Sequence, residues 1–249
     1  MTIKTIFPLA LGGILLIGVV LLQMTRTPES AAPDFGSMQD VGKKKQTFFS
    51  YLAPMIVAET EAILEERKDL ERIYQKLVEG MLVGAGDQKL LAGLGVKYRV
   101  PDREQLSTLE LAAALLPRID EVPIGLALAQ AANESAWGTS RFARSQNNFF
   151  GLWCFTDGCG VKPRRAAPGA RHRVAAFDTV QGGAAYYLLT LNSHPAYEDL
   201  RVLRSGLRSS GAPVTGQLLA EGLLRYSERG RDYVEEIRAM IRVNGLDAL

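Results

Sequence analysis

Glu134 stands in a stretch otherwise suited to burial, "LAQAANESAWGTSRFARSQNNFFG" over residues 128–151. On a helix it shares a face with Gln130, Ala131 and Ala127. Those neighbours are small, and such a face can border a cleft that holds a bulky ligand. A carboxyl set against apolar packing has its charged form disfavoured, so its pKa rises and it can carry a proton near neutral pH. Cleavage of a glycosidic bond asks this of its general acid. A glutamate at a helix end also fits a plain ion pair with Arg141 or Arg144, and the stretch by itself leaves both readings open.

The remaining chemistry-bearing residues are sparse. Asp157 precedes Gly158 in a turn signal and can either reach over a cleft as a second carboxylate or simply shape the turn, which is the preferred reading. Asp178 fits the cap of a helix starting near Thr179. Trp153 suits stacking on a sugar as well as packing in a hairpin. Arg164, Arg165, Arg171, His172 and Arg173 make one loop basic, suited to an anionic polymer or to solvent. His172 and His194 lack metal-spaced partners. The chain has two His and two Cys, and no C-x-x-C, H-E-x-x-H, P-loop or G-x-G-x-x-G motif, so neither metal nor cofactor is expected. A formal charge of +2 gives no basic field that argues for nucleic acid.

Cys154 and Cys159 flank Phe155-Thr156-Asp157-Gly158. If those residues form a hairpin loop, the cysteines face each other on adjacent strands, within the reach of a disulfide. An exported chain would meet the oxidising conditions that such a bond needs.

The 249-residue chain is long enough for one catalytic-sized domain with accessory segments. Residues 6–24, "IFPLALGGILLIGVVLLQM", are almost wholly apolar. About 20 such residues span a bilayer, whereas a signal-peptide core needs about 7–15. The run therefore reads as a transmembrane anchor, with a cleaved signal as the alternative. Either one exports the rest of the chain. Residues 25–46 read as a linker and 47–100 as an accessory helical region, with apolar residues at three- and four-residue steps from Thr47 to about Met81 and a break or kink at Pro54. The stretch from Gly84 to Asp102 reads as a glycine-punctuated connection. Residues 101–249 hold the main domain, with helices over 102–116, 123–137, 140–144, 179–192, 196–209, 213–227 and 231–243, and hairpin chemistry over 151–178. Asp120-Glu121-Val122-Pro123 reads as a helix start, with acids near the positive end and Pro in the first turn. The fold class is thus mainly α with a small β-hairpin lobe.

The segment Gln130-Ala131-Ala132, Glu134-Ser135, Trp137-Gly138, Ser140, Phe142-Ala143, Asn147-Asn148 and Phe150-Gly151 resembles the signature of the bacterial N-acetylglucosaminidase domains of glycoside hydrolase family 73. The likeness continues through "AAFDTVQGGAAYYLLTL" and "LLRYSERGRDYVEEI" and spans about 105–245. It implies a lysozyme-like helical fold with a β-lobe across a cleft, peptidoglycan glycan strands as substrate, and Glu134 as proton donor. Gln130, Trp137, Asn147, Asn148, Phe150 and Trp153 are the candidates around the substrate, with Trp137 and the Asn147-Asn148 segment also expected to hold the end of the catalytic helix and the next turn. The family also carries a tyrosine motif of the form Y-A-T-D-P-x-Y. Here "YSERGRDY" departs from it, with Tyr226 and Tyr233 seven apart. Both are candidates for the cleft, and Tyr226 is expected to matter more. The implied activity is cleavage of the β-1,4 bond after N-acetylglucosamine, at the periplasmic face of the inner membrane or in the periplasm. A lytic transglycosylase or muramidase on the same fold, and a catalytically silent wall-binding scaffold, are the rival readings.

Overall fold

The computed structural model describes residues 32–162 and 172–249. The apolar run at 6–24, residues 25–31 of the expected linker, and Arg164, Arg165 and Arg171 lie outside the described residues. Residues 32–249 form one compact unit. It is mainly helical with a small antiparallel sheet, as the sequence led us to expect. The helices are α1 (Val41–Val78), α2 (Ala85–Lys97), α3 (Thr108–Leu115), α4 (Ile124–Glu134), α5 (Arg141–Gln146), α6 (Val180–Ser193), α7 (Glu198–Ser209), α8 (Gly216–Leu219) and α9 (Arg231–Val243). The strands are β1 (Trp153–Cys154), β2 (Gly160–Val161) and β3 (Arg173–Ala175).

The centre of the fold is α4. Every residue from Gly125 to Ala132 is buried, the pattern of a helix surrounded by protein. Helices α1, α8 and α9 and the C-terminal turn at Leu246–Ala248 pack around it. Helix α1 starts at Val41, capped by the Asp40 side chain, and runs unbroken through Pro54. By length and composition alone it would suffice to cross a membrane. It is nonetheless a framework helix: Phe48, Leu52, Ile56, Ile63, Leu70 and Ile73 form a buried stripe, and it packs on α3, α4 and α6.

Three expectations need correction. Residues 85–97 form α2 rather than a loose connection. Glycine disfavours helix by about 1 kcal/mol each, but Leu91 and Leu94 are buried against the domain, and packing outweighs that local preference. The helix expected over 213–227 is instead the single turn α8, a 3-10 turn at Ala220–Leu223 and further turns. The strands on either side of Asp157-Gly158 do not pair with each other as expected: β3 lies between β1 and β2 and pairs antiparallel with both. Strands of two residues cannot sustain a ladder alone, so the returning chain inserts between them. Cys154 and Cys159 are joined by a disulfide, although β1 and β2 are not paired with each other.

Phe35, within the expected linker, is a core residue at 2% exposure. Its ring meets Phe48, Tyr51 and Phe149 edge-on at 5.4, 6.2 and 6.5 Å. It also covers Gly138, where any Cβ would collide with the ring. A buried Phe→Ala change typically costs about 3–5 kcal/mol. Phe35→Ala is therefore expected to lower the melting temperature by roughly 10 °C, as calorimetry would show. A melt within about 1–2 °C of the parent would mean that this contact is dispensable.

Asp120 pins α1 and α7 to the segment before α4. Burial alone would push its carboxyl up, but the Arg208 hydrogen bond and the charges of Arg204 and Arg67 outweigh that and hold it below the usual range. Arg208 reaches both of its oxygens, at 2.6 and 2.5 Å, and Arg67 lies at 3.3 Å. Arg67 also donates to the carbonyls of Leu116 and Ile119. The expected role of Asp120 as a helix-start acid is thus replaced by an arginine-binding one.

Candidate active site

Helix α4 ends on Glu134, and the next residues make a tight reversal. Ala136, Trp137 and Gly138 are all left-handed, with φ of 49°, 58° and 77°. Such a conformation costs a non-glycine residue about 1–2 kcal/mol. Two contacts hold it: the Ser135 hydroxyl oxygen accepts the Gly138 N–H at 2.8 Å, and the Trp137 N–H donates to the Ala132 carbonyl at 2.9 Å. Trp137 itself faces away from the cleft. It packs edge-on against Phe48 and Phe49, with the Lys45 ammonium 5.1 Å from its ring centre.

Glu134 is half-buried. Burial pushes its carboxyl above the ordinary value, and a hydrogen bond from Tyr233 partly opposes that. A directed chain of hydrogen bonds reaches it. Tyr187 donates to Gln130 Oε1 at 2.7 Å, Gln130 Nε2 donates to Tyr233 at 2.9 Å, and Tyr233 donates to Glu134 Oε1 at 2.7 Å. Because Oε1 accepts from Tyr233, a proton carried by this carboxyl belongs on Oε2. That oxygen lies beside Gly151: a Cβ built there would sit 2.9 Å from it. Gly151 has φ of 63°, so both its conformation and its neighbour exclude a side chain. Gly151→Ala is accordingly expected to cost about tenfold in kcat, the scale of a sub-ångström misplacement of the acid, with a lower melting temperature. Unchanged kcat would show that the contact places no constraint on Glu134.

Tyr226 donates to the Phe150 carbonyl at 2.7 Å and stacks on Tyr233 with a 7° tilt. Tyr226 lines the cleft and Tyr233 is buried beneath it, as expected, but it is the buried Tyr233 that bonds Glu134. Proximity in the helical register explains this: Tyr233 opens the buried face of α9, whereas Tyr226 belongs to the turns before it.

Asn148 explains the paired asparagines. It is 2% exposed; its amide donates to the carbonyls of Leu152 and Ala175, and its oxygen accepts the Leu152 N–H. This one side chain ties the loop after α5 to the sheet. Asn147 is left-handed at the end of α5 and donates to the carbonyls of Phe177 and Asp178. Phe150 is fully buried and stacks on Tyr187 at 4.2 Å. Of the six residues expected around the substrate, Gln130, Trp137, Asn147, Asn148 and Phe150 thus serve as framework, and Trp153 faces the cleft.

That cleft is about 980 Å³. Glu134, Gly151, Tyr226 and Tyr197 line it together with Trp153 and Phe155 of the β-lobe. Trp153 is 46% exposed and meets His172 edge-on; Phe155 is 72% exposed. Exposed aromatic rings on a cleft wall offer sugar-stacking platforms. Phe155 was not foreseen from sequence, where only its place between the cysteines stood out. Asp157 is fully exposed, is bonded to Arg173, and does not line the cleft, so it is a turn residue. The cleft instead carries Glu228 as a further carboxylate; its place in the charged run "SERGRD" gave no sign of this. Asp178 caps nothing, since Thr179 caps α6 through its hydroxyl. Among the described residues no cluster of His, Cys, Asp and Glu is arranged to hold a metal ion.

A family model described as mannosyl-glycoprotein endo-beta-N-acetylglucosaminidase matches residues 111–246. The chain belongs to the glucosaminidase family. As a glucosaminidase-domain protein it is also similar to Protein bax of Escherichia coli (strain K12), with 30% identity over 215 residues, 86% of this chain and 75% of that one. The likeness to Protein bax is long enough to take in part of the chain outside the glucosaminidase match. No solved structure matches the chain. Membership gives a glycosidase-type enzyme with a glycan substrate, and Glu134, Gly151, Tyr226 and Tyr233 all fall inside the glucosaminidase region.

Proposed function

We propose that the chain is an exported peptidoglycan hydrolase that cleaves the β-1,4 bond after N-acetylglucosamine, with Glu134 as general acid. The observation that carries this reading is the carboxyl at the cleft floor, with its proton affinity raised by burial, one oxygen held by Tyr233 and the other beside Gly151. The Oε2 proton passes to the glycosidic oxygen as the bond to the anomeric carbon breaks, and the sugar develops oxocarbenium character. Water then adds at that carbon and gives up a proton, completing hydrolysis. Glu228 is the cleft carboxylate available to take that proton. Tyr233 holds the acid in one rotamer and, itself pushed far up by burial and by the Glu134 charge, keeps its own proton throughout.

The apolar run at 6–24 and a bacterial relative support placement at the periplasmic side of the inner membrane. Mass analysis of fragments released from purified wall tests the reading. Products ending in reducing N-acetylglucosamine are expected. Products ending in 1,6-anhydro-N-acetylmuramic acid would mark a lytic transglycosylase, and no release at all would mark a binding module.

A further inference from the structure

Arg99 is the one cleft-lining residue that comes from before the region matched by the family. It follows the end of α2, where Lys97 and Tyr98 are tied to α1 through Glu66 at 2.5 and 2.6 Å. Its backbone is left-handed, with φ of 53°, and its N–H closes onto the Val96 carbonyl at 3.2 Å. The side chain is exposed. Unlike Arg67, Arg201, Arg204 and Arg208, its guanidinium has no hydrogen-bond or ion-pair partner among the described residues. An arginine fixed at a strained backbone position, opening into a cleft and lacking an internal partner, is a ready anion site.

His194 lines the same cleft. Its Nδ1 accepts the Ala196 N–H at 3.2 Å, which leaves Nε2 as the hydrogen-bearing nitrogen. Partial burial favours the neutral form of this ring, and the charge of Arg99 acts on it in the same direction. Arg99 and His194 thus face one cleft, the first as a cation and the second as a neutral donor. Thr190 and Tyr197 also line the cleft, and Trp153 and Phe155 belong to the β-lobe.

The geometry points to an anion subsite, centred on Arg99 with His194, that binds a carboxylate carried by the muramoyl unit of the glycan strand. This rests on the peptidoglycan reading above. Two sources present that chemistry. In a strand stripped of peptide, the lactyl ether ends in a free carboxylate. In a peptide-bearing strand that group is an amide, and the carboxylates belong to the stem. N-acetylglucosamine itself is neutral, so the subsite would tell a muramoyl-containing strand from an all-glucosamine one.

Steady-state kinetics on four substrates tests this: peptide-bearing strands, amidase-stripped strands, and each of these after carbodiimide amidation of its carboxylates. Arg99→Asn is the suitable variant, because asparagine tolerates the left-handed backbone. We expect KM to rise about 10- to 100-fold, the scale of a lost charge-assisted contact, on at least one unamidated strand, with kcat nearly unchanged. Amidation should raise KM for the parent and leave the variant unaffected. Arg99→Lys should recover part of the loss. An effect confined to stripped strands assigns the lactyl carboxylate, and one confined to peptide-bearing strands assigns the stem. If the parent cleaves the strands and Arg99→Asn has the parent KM on all of them, the subsite is refuted. If the parent releases no reducing ends from any strand, it is the hydrolase reading that fails.

Discussion

Glu134→Gln is expected to lower the turnover of wall glycan by roughly 10²–10⁴-fold, the usual scale of general acid catalysis, with the fold intact. Glutamine keeps the shape and keeps an oxygen for the Tyr233 hydroxyl, which donates to Oε1 at 2.7 Å. It lacks only the transferable proton. Stability gives an independent check. Burial raises the carboxyl above its ordinary value of 4.5, so between the unfolded and folded pKa values the native state binds more protons than the unfolded state does. Stability then falls as pH rises through that window, and the penalty is full above the folded pKa. The variant should therefore melt at or above the parent temperature near pH 7, and the difference should vanish below about pH 4.5. Near-parental turnover would remove Glu134 from the acid role; a lower melting temperature at pH 7 would mean that the change does more than remove a charge.

Tyr233→Phe is expected to cost roughly 10- to 100-fold in kcat, the value of a hydrogen bond to a charged group. Its second signature is a shift in pH dependence. The tyrosine hydroxyl stabilises the Glu134 carboxylate and lowers its pKa, so removing it raises that pKa further. Activity that requires protonated Glu134 falls as pH rises, and this basic limb should move to higher pH in the variant. Tyr226→Phe loses only the bond to the Phe150 carbonyl and should leave the limb in place. A basic limb that stays put in Tyr233→Phe, or that moves in Tyr226→Phe, would contradict the hydrogen-bond chain.

The helix that ends on Glu134 was legible because an apolar run and helical spacing coincide there. A single glutamate among small residues in an apolar run is costly to bury without a purpose, and Asn147-Asn148 with Phe150-Gly151 placed the next loop. The bond from Tyr233 to Glu134 was not legible. Spacing shows that both lie near α9, but only packing shows that Tyr233 is on the face turned to Gln130 and Glu134. The role of Phe35 was hidden for a related reason. A single aromatic between Pro, Asp and Gly has no period, and its value comes from the space above Gly138, about a hundred residues away in sequence. Helix α2 was missed because its glycines are a local signal, whereas Leu91 and Leu94 are held by partners far along the chain. The sheet order was missed because the inserted strand follows a basic stretch of sequence that carries no pairing signal.

Helix α4 stops on Glu134, and where it stops bears on the acid. The aligned peptide dipoles of a helix leave about half a negative charge at its C-terminal end. A carboxylate at that end meets a repulsion of about 0.3–1 kcal/mol, in the same direction as burial. Placed a few turns earlier, the same residue would escape that field. At the opposite end, the positive pole would favour its ionised form. The peptide groups of α4 thus add to the proton affinity of the carboxyl, and no side-chain substitution in the cleft removes their contribution.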